Sequence, residues 1–182
     1  MGKVAGLAVD ERTLVRRARS GSMESLGELY ARHADRVYRV ALGLLGSAAE
    51  AEDVLHDVFV GLPAALGAFD ETRELAPWLA RVAARVALER LRAARRRERR
   101  EGDYGREHDE FVSPPAFIAG DPELSRALAS LPEGLWTVLL LREVEGLTHE
   151  SIASLLGISA SASAVRLHRA LKKLRELVRR SP

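Results

Sequence analysis

The chain has 182 residues, of which 47% are hydrophobic and 30% charged, with a net charge of +2, a make-up expected of a soluble globular protein with room for one ordinary domain or two small ones. It contains no cysteine, which excludes disulfides, thiol chemistry and thiolate metal sites, and its histidines (His33, His56, His108, His149 and His168) lack metal-ligand spacing. No apolar run approaches the ~18 residues a membrane helix needs, and the opening MGKVAGLAVDERTLVRRARS reaches charge too early for a signal peptide, so no membrane insertion, no cofactor and a cytoplasmic location are expected.

The small net charge hides a strong segregation. Nine arginines lie between Arg81 and Arg100 against Glu89 and Glu98, and seven basic residues lie between Arg166 and Arg180 against Glu176. Before the first run Glu50, Glu52, Asp53, Asp57, Asp70, Glu71 and Glu74 oppose only Arg73, and a second acidic cluster occupies 101–110. Two basic stretches suit contact with a polyanion, and the acidic surface suits a different partner. For any single run, a solvated helix face is the simpler account.

In chain order, residues 1–24 read as an extension. Apolar residues then recur at helical spacing from Leu26 to Leu45, through Leu29, Val37, Val40 and Leu44. Gly46 breaks the pattern, and Ser47 with Glu50 has the form of a capping box that starts a second helix, with Val54, Leu55, Val58, Phe59 and Leu62 on its buried side and Pro63 as a kink point. After the loop AFDETRELAP, Trp78 opens a third helix, whose apolar stripe fades into LERLRAARRRERR. Residues 101–122 collect Gly, Pro and acid and read as a linker. Asp121, Pro122 and Glu123 restart a helix with cap, first-turn proline and first-turn acid, and further helices follow to about Arg180. The expected fold is all-α: two small helical domains, 25–100 and 123–182, joined by an acidic linker.

The stretch LTHESIASLLGISASASAVRLHRALKKLRELV is laid out as a helix-turn-helix. Ala153 allows a close helix crossing, Gly157 supplies the left-handed turn residue, Ile158 fills the angle and Ser159 caps the next helix. Such a unit places its second helix in the DNA major groove, with Arg166, Arg169, Lys172, Lys173 and Arg175 supplying charge for phosphates. Ser163 stands where this helix normally buries an aliphatic side chain. The bland turn around Ala160, Ser161, Ala162 and Ala164 offers few paired donors or acceptors, so weak or unusual base reading is expected. Glu52, Asp53 and Asp57 lack a histidine partner, nucleophile motif or phosphate-cradling loop, and an enzyme is not expected.

AEDVLHDVFVGL followed by WLARVAARVALERLR resembles conserved region 2 of the extracytoplasmic-function sigma factors, and LASLPEGLWTVLLLREVEGLTHESIASLLGIS resembles their region 4. The resemblance implies a protein that binds core RNA polymerase, directs it to promoter DNA and is held by an anti-sigma factor. It places polymerase docking on Glu52, Asp53, His56, Asp57 and Phe59. It gives the minus-10 element to the third helix and the loop before it, with Trp78, Arg81, Arg85, Glu89 and Arg92. Arg142, Thr148, Ala164, Val165, Arg166, His168, Arg169 and Lys172 fall to the minus-35 element. The family usually has glutamine at His56, asparagine at Arg85, and polar or basic residues at Ala164 and Val165. From the residues alone Trp78 is better placed in the core, His56 as an exposed helix residue, and the arginines from Arg95 to Arg100 as backbone neutralisers. A free-standing helix-turn-helix regulator, and a sigma-like adaptor that scarcely reads DNA, remain the alternatives.

Overall fold

A computed structural model describes residues 9–100 and 122–180, and among these every regular element is helical. The first group comprises α1 (Glu11–Arg19), α2 (Met23–Leu45), α3 (Ala48–Ala65) with a following 3-10 turn (Leu66–Ala68), and α4 (Leu75–Arg100). The second comprises α5 (Pro122–Ala129), α6 (Glu133–Leu139) running into a π-helical turn (Leu140–Val144), α7 (His149–Leu156) and α8 (Ala160–Arg180). The linker expected at 101–122, with the Asp121 cap, lies outside the described residues except for Pro122, the first residue of α5.

Local chemistry sets the boundaries. Ser22 and Ser47 cap α2 and α3 by accepting the N–H groups of Ser25 and Glu50, and Gly46 ends α2 at φ +70°. Pro63 lies inside α3 and does not stop it, and the helix runs on to Ala65 before the 3-10 turn. α4 begins at Leu75, three residues before Trp78, because Leu75 is itself buried and Pro77 falls in the first turn, where a missing N–H is tolerated. The segment before residue 25 contributes a helix: Leu14, Val15 and Ala18 of α1 are buried, and Glu11 meets the nearly buried His33 of α2 at 2.8 Å. α2 is the centre of the first bundle, packed by α1, α3 and α4, while α8 backs α5, α6 and α7.

The two groups of helices meet along a close seam. Trp136 of α6 is only 1% exposed, and its indole N–H donates to the Gly43 carbonyl of α2 at 2.7 Å. Gly43 lies in the last turn of α2, where carbonyls have no partner in their own helix, so the indole satisfies a group that would otherwise be orphaned. Gly43 is also a point of close packing, since a Cβ there would stand 2.7 Å from the Leu140 side chain. Beside it Arg36 donates to the Glu145 carboxylate at 2.8 Å and to the Glu145 backbone carbonyl at 3.2 Å. That carboxylate is 3% exposed and takes its countercharge across the seam.

Candidate interaction surfaces

The first surface is a groove of about 680 Å³ between α2 and α3, lined by Met23, Leu26, Tyr30, Leu55, Phe59 and Val60, with Glu52 and His56 at its edge. Its floor is stiffened by the edge-on contact of the Tyr30 and Phe59 rings, whose centroids lie 4.8 Å apart. Met23 is 75% and Val60 67% exposed, too open for core residues and well suited to being covered. The structure divides the residues expected to dock polymerase. Glu52, His56 and Phe59 follow one side of α3 into the groove, whereas Asp53 and Asp57 turn toward α4, where Arg90 donates to them at 3.0 and 2.5 Å. The Asp57 carboxylate is the main reason the Arg90 pKa is raised above its ordinary value. This clasp escaped sequence reasoning because Arg90 is far from both acids in sequence and is one of many arginines in α4.

The second surface is α4 with the loop before it. Arg81, Arg85, Glu89 and Arg92 recur at four-, four- and three-residue steps and so share one face of the helix. Arg85 and Glu89 are exposed, and Arg81 is half-buried. Trp78 is half-buried in a tilted contact with Phe69, ring centroids 5.0 Å apart. The loop is tied down from α1: the Arg19 guanidinium donates to the carbonyls of Leu66 and Phe69 at 2.9 and 3.0 Å and to Glu71 at 2.8 Å. Within the loop Asp70 accepts from the Thr72 hydroxyl and backbone N–H, which hold its pKa below the ordinary carboxylate value. Neither tie was visible in the sequence, because Arg19 reads there as one of several arginines in an extension.

The third surface is the helix-turn-helix. Gly157 takes φ +68°, and its N–H and that of Ile158 both donate to Ala153, closing α7. The Ser159 hydroxyl caps α8 by accepting the Ala162 N–H at 3.0 Å. Ser163 is fully buried, and its Oγ lies 2.9 Å from His149 Nδ1, so a hydrogen bond to α7 stands where an aliphatic contact was expected. Ala164, Val165, His168, Arg169 and Lys172 are exposed on the outward side of α8. Three expected minus-35 residues are engaged otherwise. Thr148 caps α7 by accepting the Ser151 N–H, Arg142 donates to the Leu147 carbonyl at 2.9 Å, and Arg166 turns toward the seam.

The seam draws on the same basic residues. Arg92 donates to the Leu155 carbonyl at 2.6 Å, Arg95 pairs with Glu133, and both share a cleft of about 300 Å³ with Arg166. A second cleft of that size brings Trp78 and Arg81 of the first bundle against Thr148 and Ser151 of the second. Among the described residues no cluster of His, Cys, Asp or Glu is arranged to hold a metal ion, and no helix is long and apolar enough to cross a membrane.

The sequence matches Sigma-70 region 2 over residues 29–97 and Sigma-70, region 4 over residues 122–174. Together with the paired helical domains, these matches define a sigma-70-type RNA polymerase sigma factor. The chain is 34% identical over 169 residues to RNA polymerase sigma factor CarQ of Myxococcus xanthus, covering 89% of this chain and 94% of that one. It is 32% identical over 165 residues to ECF RNA polymerase sigma factor SigE of Mycolicibacterium smegmatis, covering 85% of this chain and 62% of that one. Among solved structures, CnrH in complex with the cytosolic domain of CnrY matches with a TM-score of 0.60 at 27% identity, over 94% of this chain and 99% of that one. CnrH is a sigma factor of Cupriavidus metallidurans. The chain belongs to the extracytoplasmic-function subfamily of these sigma factors.

Proposed function

We propose that the three surfaces divide the work of promoter recognition. The α2–α3 groove docks core RNA polymerase, the α4 face with its preceding loop engages the minus-10 element, and the outward side of α8 engages the minus-35 element. The observation that carries this reading is the placement of charge on one fold: an apolar groove edged by acid in one place, and arginine- and lysine-bearing helix faces in two others. The domain limits proposed are 25–100 and 123–182, with α1 packed onto the first, and the protein acts in the cytoplasm without catalysis of its own. The groove is also the natural seat of an anti-sigma factor, since a protein that covers Met23, Tyr30 and Val60 excludes polymerase from the same area.

The seam adds a requirement. Two promoter elements centred about 25 base pairs apart are separated by roughly 85 Å at 3.4 Å per step, whereas here Trp78 and Arg81 share one cleft with Thr148. Engagement of both elements therefore goes with opening of the seam, which also releases Arg92 and Arg95 for DNA.

The test is transcription in vitro across a randomised promoter library, with core polymerase and with or without the protein. Start sites that appear only with the protein, enriched in two elements at a fixed spacing, are expected. Core binding without added transcription would replace this reading with that of an adaptor, and sequence-specific DNA binding in the absence of core would replace it with a free-standing regulator. Docking can be checked separately with Val60→Glu, which puts a charge in the open groove. It is expected to weaken core binding by an order of magnitude or more while leaving the melting temperature unchanged, because Val60 contributes little to the core.

A further inference from the structure

The outward side of α8 is unusual in what it offers to a base pair. Ser161, Val165, His168 and Lys172 recur at four-, three- and four-residue steps, and so form a single stripe opposite the buried Ser163 and Ala170. Val165 stands in this stripe, 49% exposed, with the exposed Ala164 at its flank. The hydroxyls nearby are tied into the helix start: Ser159 Oγ takes the Ala162 N–H, and Ser161 Oγ lies 2.9 Å from Ser159 Oγ. Apart from Arg166, which faces the seam cleft, the first two turns of α8 therefore present mainly small and apolar side chains to the outside, and positive charge follows along the helix at Arg169 and Lys172.

A recognition helix enters the major groove with its N-terminal turns against the base edges, while basic residues further along meet phosphates. Of the four bases only thymine shows the major groove an apolar group, its C5-methyl. Valine suits such a contact, because its branched side chain is held in few rotamers and loses little freedom when covered.

Resting on the reading of α8 as the minus-35 helix, we propose that Val165, with Ala164, recognises thymine in the upstream promoter element through its C5-methyl group. Specificity on this face comes from apolar contact, and hydrogen-bond reading is confined to the neighbourhood of His168 and Arg169. The small side chains of the first turn let the helix backbone approach the base edges closely enough for the short valine to reach.

The experiment uses holoenzyme made from core polymerase and the full chain. The upstream element is first selected from a randomised library by transcription. Each enriched thymine is then replaced by deoxyuridine, which keeps every hydrogen-bonding group and removes only the methyl. Expected are one or two thymines whose replacement weakens promoter binding about fourfold each, the worth of one buried methyl-sized group. Holoenzyme carrying Val165→Ala should bind the thymine promoter about as weakly as the wild type binds the deoxyuridine one, and should no longer tell the two apart. Enrichment of thymine on either strand with no response to deoxyuridine would overturn the methyl contact, as would an upstream element enriched in G·C pairs alone. A minus-10 element enriched with no upstream element would overturn it too, while leaving the sigma-factor reading intact. Absence of any protein-dependent transcription would remove that reading and this proposal together. If Val165→Ala changes neither binding nor the deoxyuridine response, the exposed valine belongs to a protein contact and the proposal fails.

Discussion

Replacing Arg36 by alanine is expected to separate the two helical domains without unfolding either. The Glu145 carboxylate has almost no access to water and takes its countercharge from Arg36. Removing one partner of a buried ion pair costs about 3–5 kcal/mol when the other charge stays buried. Glu145 has an escape that a carboxylate in a single core lacks, because undocking returns it to solvent and leaves each bundle intact. The expected outcome is a radius of gyration in solution scattering well above the ~16 Å of a compact chain of this length, with helix content by circular dichroism preserved. A chain with both Arg36→Met and Glu145→Leu should regain the compact dimension, since a buried pair can be exchanged for apolar groups of similar size. Unchanged scattering for Arg36→Ala would show that the ion pair does not hold the seam.

Trp136→Ala is expected to give the largest loss of stability of any single substitution at the seam. Truncating a buried tryptophan costs about 3–5 kcal/mol, and the Gly43 carbonyl loses its donor as well. With 2–4 °C of melting temperature per kcal/mol for a chain of this size, the fall should be on the order of 10 °C. Trp136→Phe separates the two contributions. It keeps most of the apolar filling and loses only the N–H, so a fall of about 1 kcal/mol is expected in denaturant melts. Equal effects of the two variants would mean that the hydrogen bond, rather than packing, dominates.

Much of the helical layout was legible because it rests on local chemistry. Ser47, Gly157 and Ser159 act within a few residues of themselves, and their roles follow from which side chains can accept an N–H and which backbone can turn left-handed. The run PEGLWTVLLLREVEG was legible as helix but not as a helix that widens into a π turn at Leu140–Val144, a change in hydrogen-bond step that side-chain periodicity does not encode. Of the surface residues, those carried by family motifs were named from the sequence, and what each touches was not. Asp53 and Asp57 read as free acids until α4 folds back and places Arg90 between them. Ser163 read as a defect because its partner, His149, lies on the preceding helix, where only the crossing geometry brings it within reach. The pairings of Trp136 with Gly43 and of Arg36 with Glu145 join residues about a hundred positions apart, with no signal in local pattern or charge.

Gly43 gives the molecule a fine adjustment at a single position. In a 23-residue helix a glycine sacrifices roughly 1 kcal/mol of helical stability relative to alanine. What the sacrifice yields is room for Leu140 and Trp136 of the other domain. A methyl group added there would strengthen α2 in docked and undocked chains alike but would crowd Leu140 only in the docked one, so it shifts the balance between them toward the undocked chain. Since 1.4 kcal/mol is a factor of ten in an equilibrium, relatives that differ only at this position occupy different points on that balance with the residues proposed to face the promoter untouched. At Gly43 readiness to open is thereby tuned apart from the promoter-reading residues proposed on α8, whereas Arg81 and Arg92 belong to the seam and to the proposed minus-10 face together.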